Sequence, residues 1–267
     1  MIGGRETRDL DCDKDSSVQS IRRGIEAGIR CIDTAEMYAG GFTEKLVGRA
    51  IQAYPRDSLQ IISKVSPRNL RYDDVLQSAE ASLKRLQTDY LDVYLIHKPN
   101  PAIPLCETMK AMGTLRDEGV IREVGVSNFG VDTLRKAQEY LKAPVVLNQV
   151  HYNLIYREPE ISGLLDYCRD NDIFLMAWRP LEKGAIGGNL PSVLEEVCSE
   201  YQRSPAQVAI NWLISQDQVV TLSTMRSEKN LRNNLGALGW RLEPEDIEKL
   251  RVLFPDQQNV SNREPLM

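Results

Sequence analysis

The amino-acid sequence predicts an α/β protein, a (β/α)8 TIM-type barrel in a single domain over residues 1–267. Short apolar runs rich in β-branched residues alternate with longer amphipathic segments along almost the whole chain. This alternation is typical of a parallel sheet covered by helices. The length of 267 residues suits one barrel, which typically needs about 250 residues. No linker or low-complexity stretch divides the chain.

Seven segments are predicted to be strands. The run YLDVYLIH alternates at first and then becomes wholly apolar, as expected for a strand that is buried on both faces. Seven strands, each followed by a helix, predict a barrel more than an open sheet. The predicted strands are Ile29–Asp33, Leu59–Val65, Tyr90–His97, Ile121–Ser127, Val145–Gln149, Ile173–Trp178 and Val219–Ser223.

The intervening segments have helical periodicity. The first of them places Val18, Ile21 and Ile25 on one face. A later one opens with Ser204 as N-cap and Pro205 at the first helical position. The predicted helices are Ser17–Ala27, Glu44–Gln52, Asp73–Leu86, Leu105–Glu118, Val131–Leu141, Pro159–Asn171, Pro191–Tyr201, Pro205–Ser215, Glu228–Leu235 and Pro244–Leu253.

Charge and composition exclude several classes of protein. A net charge of −5 and a pI near 5.3 argue against nucleic acid or an anionic membrane as the main partner. No apolar run is long enough for a membrane span, and the polar start does not resemble a signal peptide, so we expect a cytoplasmic protein. The five cysteines lack CxxC spacing, and with only His97 and His151 as histidines we expect no metal site.

Polar side chains stand at the carboxyl ends of the predicted strands, where a barrel builds its active site. Asp, Lys and His at the ends of three successive apolar strands would be an odd pattern for packing alone. A tyrosine, Tyr38, follows Asp33 in the loop that leaves the first strand. The strand-end residues are Asp33, Lys64, His97, Ser127, Asn128 and Gln149.

Five segments around these residues resemble the aldo-keto reductase family. They occur in family order and on the expected strand ends, and the resemblance covers roughly residues 17–240. One such motif is a weak indication, whereas five in order are a strong one. The segments are Asp33–Tyr38 (DTAEMY), Ile62–Lys64 (ISK), Leu95–Pro99 (LIHKP), Gly125–Phe129 (GVSNF) and Asn148–Asn153 (NQVHYN).

The resemblance implies an NADPH-dependent reductase of small aldehydes or ketones, with Tyr38 as the general acid. A tyrosine with a pKa near 10 is a poor acid at neutrality, and a neighbouring ammonium such as that of Lys64 lowers the pKa. Asp33 would hold Lys64 charged and oriented. His97 would hydrogen-bond the substrate oxygen and fix its approach.

The cofactor residues also follow from the resemblance, because the chain has no GxGxxG motif after a strand. Ser127, Asn128 and Gln149 would bind the nicotinamide carboxamide, and Trp178 replaces the family's usual stacking tyrosine. Arg226 would bind the adenosine 2′-phosphate and favour NADPH over NADH, although the family's neighbouring Pro and Gly are missing. The further candidates, for pyrophosphate and adenosine, are Arg179, Leu181, Ser223, Thr224, Asn230 and Asn234.

The start of the chain departs from the family pattern. Relatives have an N-terminal hairpin and a first barrel strand, but this sequence begins about where that strand would end. Residues Met1–Lys14 are too polar and glycine-rich for a buried strand. We therefore expect them to form a loop, in a barrel that lacks the hairpin and first strand and has its first and last strands as edges.

Two other functions stay open. One is a regulatory barrel that binds the cofactor with weak or no turnover, which the missing strand favours. The other is an aldolase in which Lys64 forms a Schiff base, although that chemistry needs a lowered lysine pKa and Asp33 would raise it. The sequence does not identify the physiological substrate or the oligomeric state.

Overall fold

The computed structural model describes residues 13–187, 191–224 and 227–267. In this part of the chain seven strands are hydrogen-bonded in sequence order, β1 to β7, which confirms the predicted fold class and strand number. β1 and β7 are the ends of that order. The strands are β1 Cys31–Asp33, β2 Gln60–Val65, β3 Leu91–Ile96, β4 Ile121–Ser127, β5 Leu147–His151, β6 Phe174–Trp178 and β7 Val219–Thr221.

Helices follow each strand. Short 3-10 helices lie at Tyr38–Gly41, Arg56–Ser58 and Glu182–Gly187. The α-helices are α1 Lys14–Glu26, α2 Phe42–Ile51, α3 Tyr72–Leu86, α4 Leu105–Asp117, α5 Val131–Leu141, α6 Glu158–Ile161, α7 Leu164–Asp170, α8 Ser192–Tyr201, α9 Pro205–Ile214, α10 Glu228–Leu235 and α11 Pro244–Leu253.

Several predicted elements have different bounds in the structure. α1 begins at Lys14 because the Asp13 side chain caps it, accepting from the backbone of Asp15 and Ser16. The predicted helix Pro159–Asn171 is two helices, since Gly163 adopts a left-handed φ of 74° between them. β5 starts and ends two residues later than predicted, so His151 and not Gln149 ends the strand.

The first three strand pairs are parallel and place the catalytic candidates. Asp33 lies opposite Ile62 on β2, and Lys64 lies opposite Leu95 on β3. Lys64 is therefore two residues beyond the pairing partner of Asp33 and faces the same side of the sheet as that partner. This register brings the lysine to the carboxyl end of β1.

The chain divides into two compact units, Met1–Leu147 and Asn148–Met267. In the first, Val18 and Leu46 belong to a buried cluster against which Ile21 and Phe42 pack, and the periodicity of the first predicted helix places Val18 and Ile21 on one face. That the chain is one domain stays a prediction. The predicted N-terminal loop lies, apart from residues 13 and 14, outside the described residues. No helix in the described ranges is long and apolar enough to cross a membrane.

Candidate active site

The buried ammonium of Lys64 is the centre of the candidate site. Its Nζ lies 2.8 and 2.7 Å from the two carboxylate oxygens of Asp33 and 2.8 Å from the Thr34 carbonyl oxygen. The lysine side chain is fully buried, and that of Asp33 is 10% exposed. A buried charge is tolerated only when it is paired and hydrogen-bonded, so Asp33 and Thr34 hold Lys64 in its charged form.

Tyr38 completes the set of partners of that ammonium. Nζ of Lys64 is 3.3 Å from the phenol oxygen, and it lies 4.9 Å from the centre of the ring. The loop that carries the tyrosine is fixed to β2, because Thr34 N–H donates to Ile62 and Glu36 N–H donates to Lys64. The sequence-predicted Asp33, Lys64 and Tyr38 thus form one continuous hydrogen-bonded group.

The pKa of Tyr38 lies above its usual value of 10.0. Burial is the largest cause, the ammonium of Lys64 lowers the pKa, and the Asp33 carboxylate raises it again. Lys64 therefore acts in the direction expected from the sequence, but the burial of the phenol outweighs it. The phenol consequently keeps its proton at neutral pH.

His97 lies beside the tyrosine at the end of β3. The two rings are 5.5 Å apart and meet edge to face at 83°. Burial, followed by the charges of Lys64 and Lys98, lowers the pKa of His97 to about 3, so the ring is neutral at pH 7. Its Nδ1 is buried and has no hydrogen-bond partner among the residues that the structure describes. A neutral ring next to the phenol can hydrogen-bond an oxygen atom without adding charge.

Ser127 and Asn128 lie at the end of β4, and Asn128 is hydrogen-bonded to the backbone of His97. Asn128 Nδ2 donates to the His97 carbonyl oxygen at 3.1 Å and to Ser127 Oγ at 3.0 Å. Both side chains are almost completely buried, and Asn128 has a left-handed φ of 62°. A non-glycine residue in this conformation is uncommon and is often found at functional sites.

The second unit contains the other candidates for the nicotinamide end. Gln149 is buried within β5 and its amide contacts the Met176 sulfur. Trp178 ends β6, and Arg179 follows it with a left-handed φ of 58°. The Arg179 guanidinium pairs with Glu182 at 3.2 Å, so a bound phosphate would compete with a carboxylate for this arginine.

The adenosine candidates are only partly brought together. Asn234 Nδ2 donates to Ser223 Oγ at 2.8 Å, and Asn230 precedes Asn234 by one turn on α10. The pyrophosphate candidate Leu181 is half-buried, whereas the adenosine candidates Thr224 and Asn230 are exposed. The predicted 2′-phosphate ligand, Arg226, lies outside the described residues.

His151 is a residue whose setting the sequence reasoning missed. Its ring is 2% exposed and stacks on Trp178 with centroids 4.1 Å apart and planes at 7°. One signal was available, because His151 is two residues after Gln149 and side chains alternate along a strand. The partners of its nitrogens, Glu182 and Ser261, are distant in sequence and gave no signal.

Comparisons with known proteins show which family the sequence matches. The sequence model of the "Aldo/keto reductase family" matches residues 1–253. A glyoxal reductase of Bacillus subtilis is 34% identical over 253 residues, which cover 94% of this chain and 88% of that protein. A methylglyoxal reductase of Escherichia coli is 35% identical over 247 residues, covering 90% and 85%.

Solved structures give the same result. A thermostable aldo-keto reductase crystallised with the inhibitor epalrestat is similar with a TM-score of 0.90 and 41% identity, covering 94% of this chain and 91% of that one. An aldo-keto reductase from Klebsiella pneumoniae in complex with NADPH has a TM-score of 0.85 and 33% identity, covering 100% and 93%.

Proposed function

The chain belongs to the aldo/keto reductase family, and we propose that it is an NADPH-dependent reductase of small aldehydes and ketones. The observation that carries the proposal is the buried ammonium of Lys64, which contacts Asp33, Thr34 and Tyr38. Two relatives are named as reductases of glyoxal and methylglyoxal, so α-dicarbonyl compounds are the first substrates to test.

In the proposed reaction, residues of this chain supply the proton and stabilise the charge that its transfer leaves behind. Tyr38 donates its phenol proton to the carbonyl oxygen as negative charge develops there. The ammonium of Lys64, 3.3 Å from the phenol oxygen, stabilises the phenolate that remains. Asp33 keeps that ammonium charged and fixed in place. NADPH, when bound, supplies the hydride.

His97 orients the substrate in this proposal. Its ring is neutral because burial and two nearby ammonium groups lower its pKa to about 3. A neutral imidazole can hydrogen-bond the carbonyl oxygen next to Tyr38 without competing as an acid. Correct placement of a reacting group contributes to the rate even without proton transfer.

The residues present suit a nicotinamide cofactor. The half-buried indole of Trp178 has the His151 ring parallel to it at 4.1 Å, and the guanidinium carbon of Arg179 lies 5.5 Å from the centre of the indole ring. An indole is a planar platform of the kind that stacks on an aromatic ring. By the family resemblance, the carboxamide is assigned to the buried polar side chains Ser127, Asn128 and Gln149. The remaining assignments are Arg179 and Leu181 for pyrophosphate, and Ser223, Thr224, Arg226, Asn230 and Asn234 for the adenosine part.

The charge of Lys64 weighs against an aldolase. Burial lowers the pKa of Lys64, but the Asp33 carboxylate and Tyr38 outweigh it, so the pKa lies above 10.5. A Schiff-base lysine must be uncharged in order to attack a carbonyl. Lys64 is thus better suited to stabilising a phenolate than to forming a covalent bond.

The test is oxidation of NADPH by the purified protein in the presence of methylglyoxal, glyoxal and a panel of aldehydes and ketones, with NADPH binding measured in parallel. Turnover that requires both NADPH and the carbonyl supports the proposal. NADPH binding without turnover of any carbonyl would instead indicate a regulatory barrel. Absence of both would make the proposed function wrong.

A further inference from the structure

One histidine in the second unit is enclosed between two aromatic rings. The His151 ring lies 4.2 Å from the Tyr156 ring at an angle of 26° and 4.1 Å from the Trp178 ring at 7°. Parallel rings at these distances on a single imidazole occupy its two faces. His151 therefore separates Tyr156 from Trp178 and fixes the plane of the indole.

Hydrogen bonds hold the imidazole itself at both nitrogens. Nδ1 is 2.8 Å from Ser261 Oγ, and Nε2 is 2.8 Å from Glu182 Oε2. Burial lowers the pKa of His151, which keeps the ring neutral at pH 7. A neutral imidazole donates from one nitrogen and accepts at the other. Because a carboxylate only accepts, Nε2–H donates to Glu182 and Nδ1 accepts from the Ser261 hydroxyl.

Ser261 is fixed in turn by the backbone of the C-terminal tail. Its Oγ accepts from the N–H groups of Arg263 and Glu264, each at 3.1 Å. Its own N–H donates to the buried carboxylate of Glu158 at 2.8 Å. The hydroxyl is thereby directed at His151, and the tail, hydroxyl and imidazole form one hydrogen-bonded chain.

Glu182 connects the same imidazole to the residue after Trp178. One oxygen of its carboxylate accepts from His151, and the other pairs with the Arg179 guanidinium at 3.2 Å. Asn153 Nδ2 donates to the Arg179 carbonyl oxygen at 2.9 Å, which supports the left-handed backbone at Arg179. His151 thus touches Trp178 directly and reaches Arg179 through Glu182.

We propose that His151 is a positioning residue for the nicotinamide cofactor, which holds the Trp178 indole in the plane on which the nicotinamide stacks. The proposal rests on the proposed function, because it assigns the nicotinamide to a stacking contact with Trp178. Ser261 and Glu182 set the orientation of His151, so the C-terminal tail contributes to the orientation of the Trp178 indole.

The test compares His151→Leu, which removes the flat ring, with His151→Phe, which keeps a ring between Tyr156 and Trp178. Tyr201→Leu is the matched control, since it removes the ring packed on a different tryptophan, Trp240, at 5.4 Å. The measurements are the dissociation constant of NADPH, the KM values for NADPH and for methylglyoxal, and the near-UV circular dichroism of the unliganded protein. Trp178→Phe identifies the contribution of Trp178 to that spectrum.

We expect His151→Leu to weaken the near-UV circular dichroism band of Trp178. It should also raise the Kd and KM for NADPH roughly 3- to 10-fold, which corresponds to the free energy of one aromatic contact. The KM for methylglyoxal stays unchanged. His151→Phe keeps NADPH affinity within about 2-fold of wild type, since a stacked ring remains. Tyr201→Leu changes none of these values. If His151→Leu leaves both the Trp178 band and NADPH affinity at wild-type values, the positioning role is overturned.

Two further outcomes are separable. If His151→Leu does not fold, Ser261→Ala takes its place, and we expect it to weaken the Trp178 circular dichroism band and to raise the Kd for NADPH. A Ser261→Ala protein in which neither value changes overturns the proposal. A wild-type protein that binds no NADPH contradicts the proposed function. In that case the Trp178 band of the unliganded variants still shows whether His151 orders the indole.

Discussion

At the scale of single residues, the candidate catalytic group depends on the hydrogen-bond partners of the Lys64 ammonium. A lysine has three N–H donors, and those of Lys64 face Asp33, Thr34 and Tyr38. Each partner has a separate consequence: Asp33 maintains the charge, Thr34 fixes the position, and Tyr38 receives the electrostatic effect. The sequence placed these residues at neighbouring strand ends, but it did not show that burial raises the pKa of the phenol.

Tyr38→Phe should reduce carbonyl turnover by about 10²- to 10⁴-fold, the usual contribution of a general acid. Only the phenol oxygen and its proton are removed, so NADPH affinity should stay close to the wild-type value. The measurement is steady-state NADPH oxidation with binding determined separately. The control is Tyr54→Phe, which removes the phenol that contacts Glu26 and should retain full activity. A Tyr38→Phe enzyme with more than about a tenth of wild-type turnover would exclude this tyrosine as the acid.

Lys64→Met should both inactivate and destabilise the protein. It leaves the Asp33 carboxylate without its ammonium partner, and breaking a buried ion pair from one side typically costs about 3–5 kcal/mol. Adding Asp33→Asn removes that charge, so the double variant should recover part of the unfolding free energy but no activity. Urea denaturation and NADPH oxidation measure the two effects. Equal stability of the single and double variants would show that the charge of Asp33 is not the cause.

At the scale of secondary-structure elements, close approaches between segments decide what the sequence pattern leaves open. The helical periodicity of residues 42–51 predicts the helix, but it does not show that Gly48 contacts the end of α3. An ideal Cβ on Gly48 would lie 2.7 Å from the Arg85 carbonyl oxygen and 2.8 Å from that of Leu86. Likewise, periodicity predicted β5 as a strand but placed its bounds two residues early, because the pairing of a strand depends on its neighbours.

Gly48→Ala should therefore destabilise the protein, by roughly 1–3 kcal/mol, the typical cost of overpacking. Gly113→Ala is the matched control on α4, where the new Cβ would meet only Leu141 Cδ1 at an ordinary 3.7 Å. Replacing a helical glycine by alanine without a clash should stabilise by about 0.5–1 kcal/mol. Thermal or urea unfolding of both variants measures the change in unfolding free energy. If Gly48→Ala changes it by the same amount as Gly113→Ala, the close approach at Gly48 is wrong.

At the scale of the whole molecule, both histidines of the chain are held in a neutral state, His151 buried and His97 half-buried. Burial is the largest cause of the lowered pKa in each, and for His97 the pKa is about 3. Below pH 6.5, the usual pKa of histidine in an unfolded chain, these histidines bind a proton in the unfolded chain but not in the folded one. The stability that comes from keeping these rings neutral is therefore complete above pH 6.5 and is lost as the pH falls toward the folded pKa.

We expect the unfolding free energy to fall between pH 6.5 and 5, by up to about 1.4 kcal/mol per pH unit for His97, whose pKa in the folded protein is about 3. The lowered pKa of His151 acts in the same direction. His97→Gln, which cannot take up the proton, should show a shallower decline over this range. Carboxylates of the unfolded chain titrate mainly lower, near pH 4, so they contribute little. Urea unfolding at several pH values measures the slope for both proteins, and identical slopes would contradict the neutral state of His97.

The sequence by itself determined the βα alternation, the strand number and the polar residues at the strand ends, because periodicity and motif order are local properties of the chain. Only the tertiary structure decided how those residues interact. It placed the ammonium of Lys64 against the phenol of Tyr38 and made burial the larger influence on the pKa of that phenol. It also brought Ser261 to His151, 110 residues away in sequence. Burial and hydrogen bonds between distant segments exist only after the chain has folded, so no local pattern encodes them.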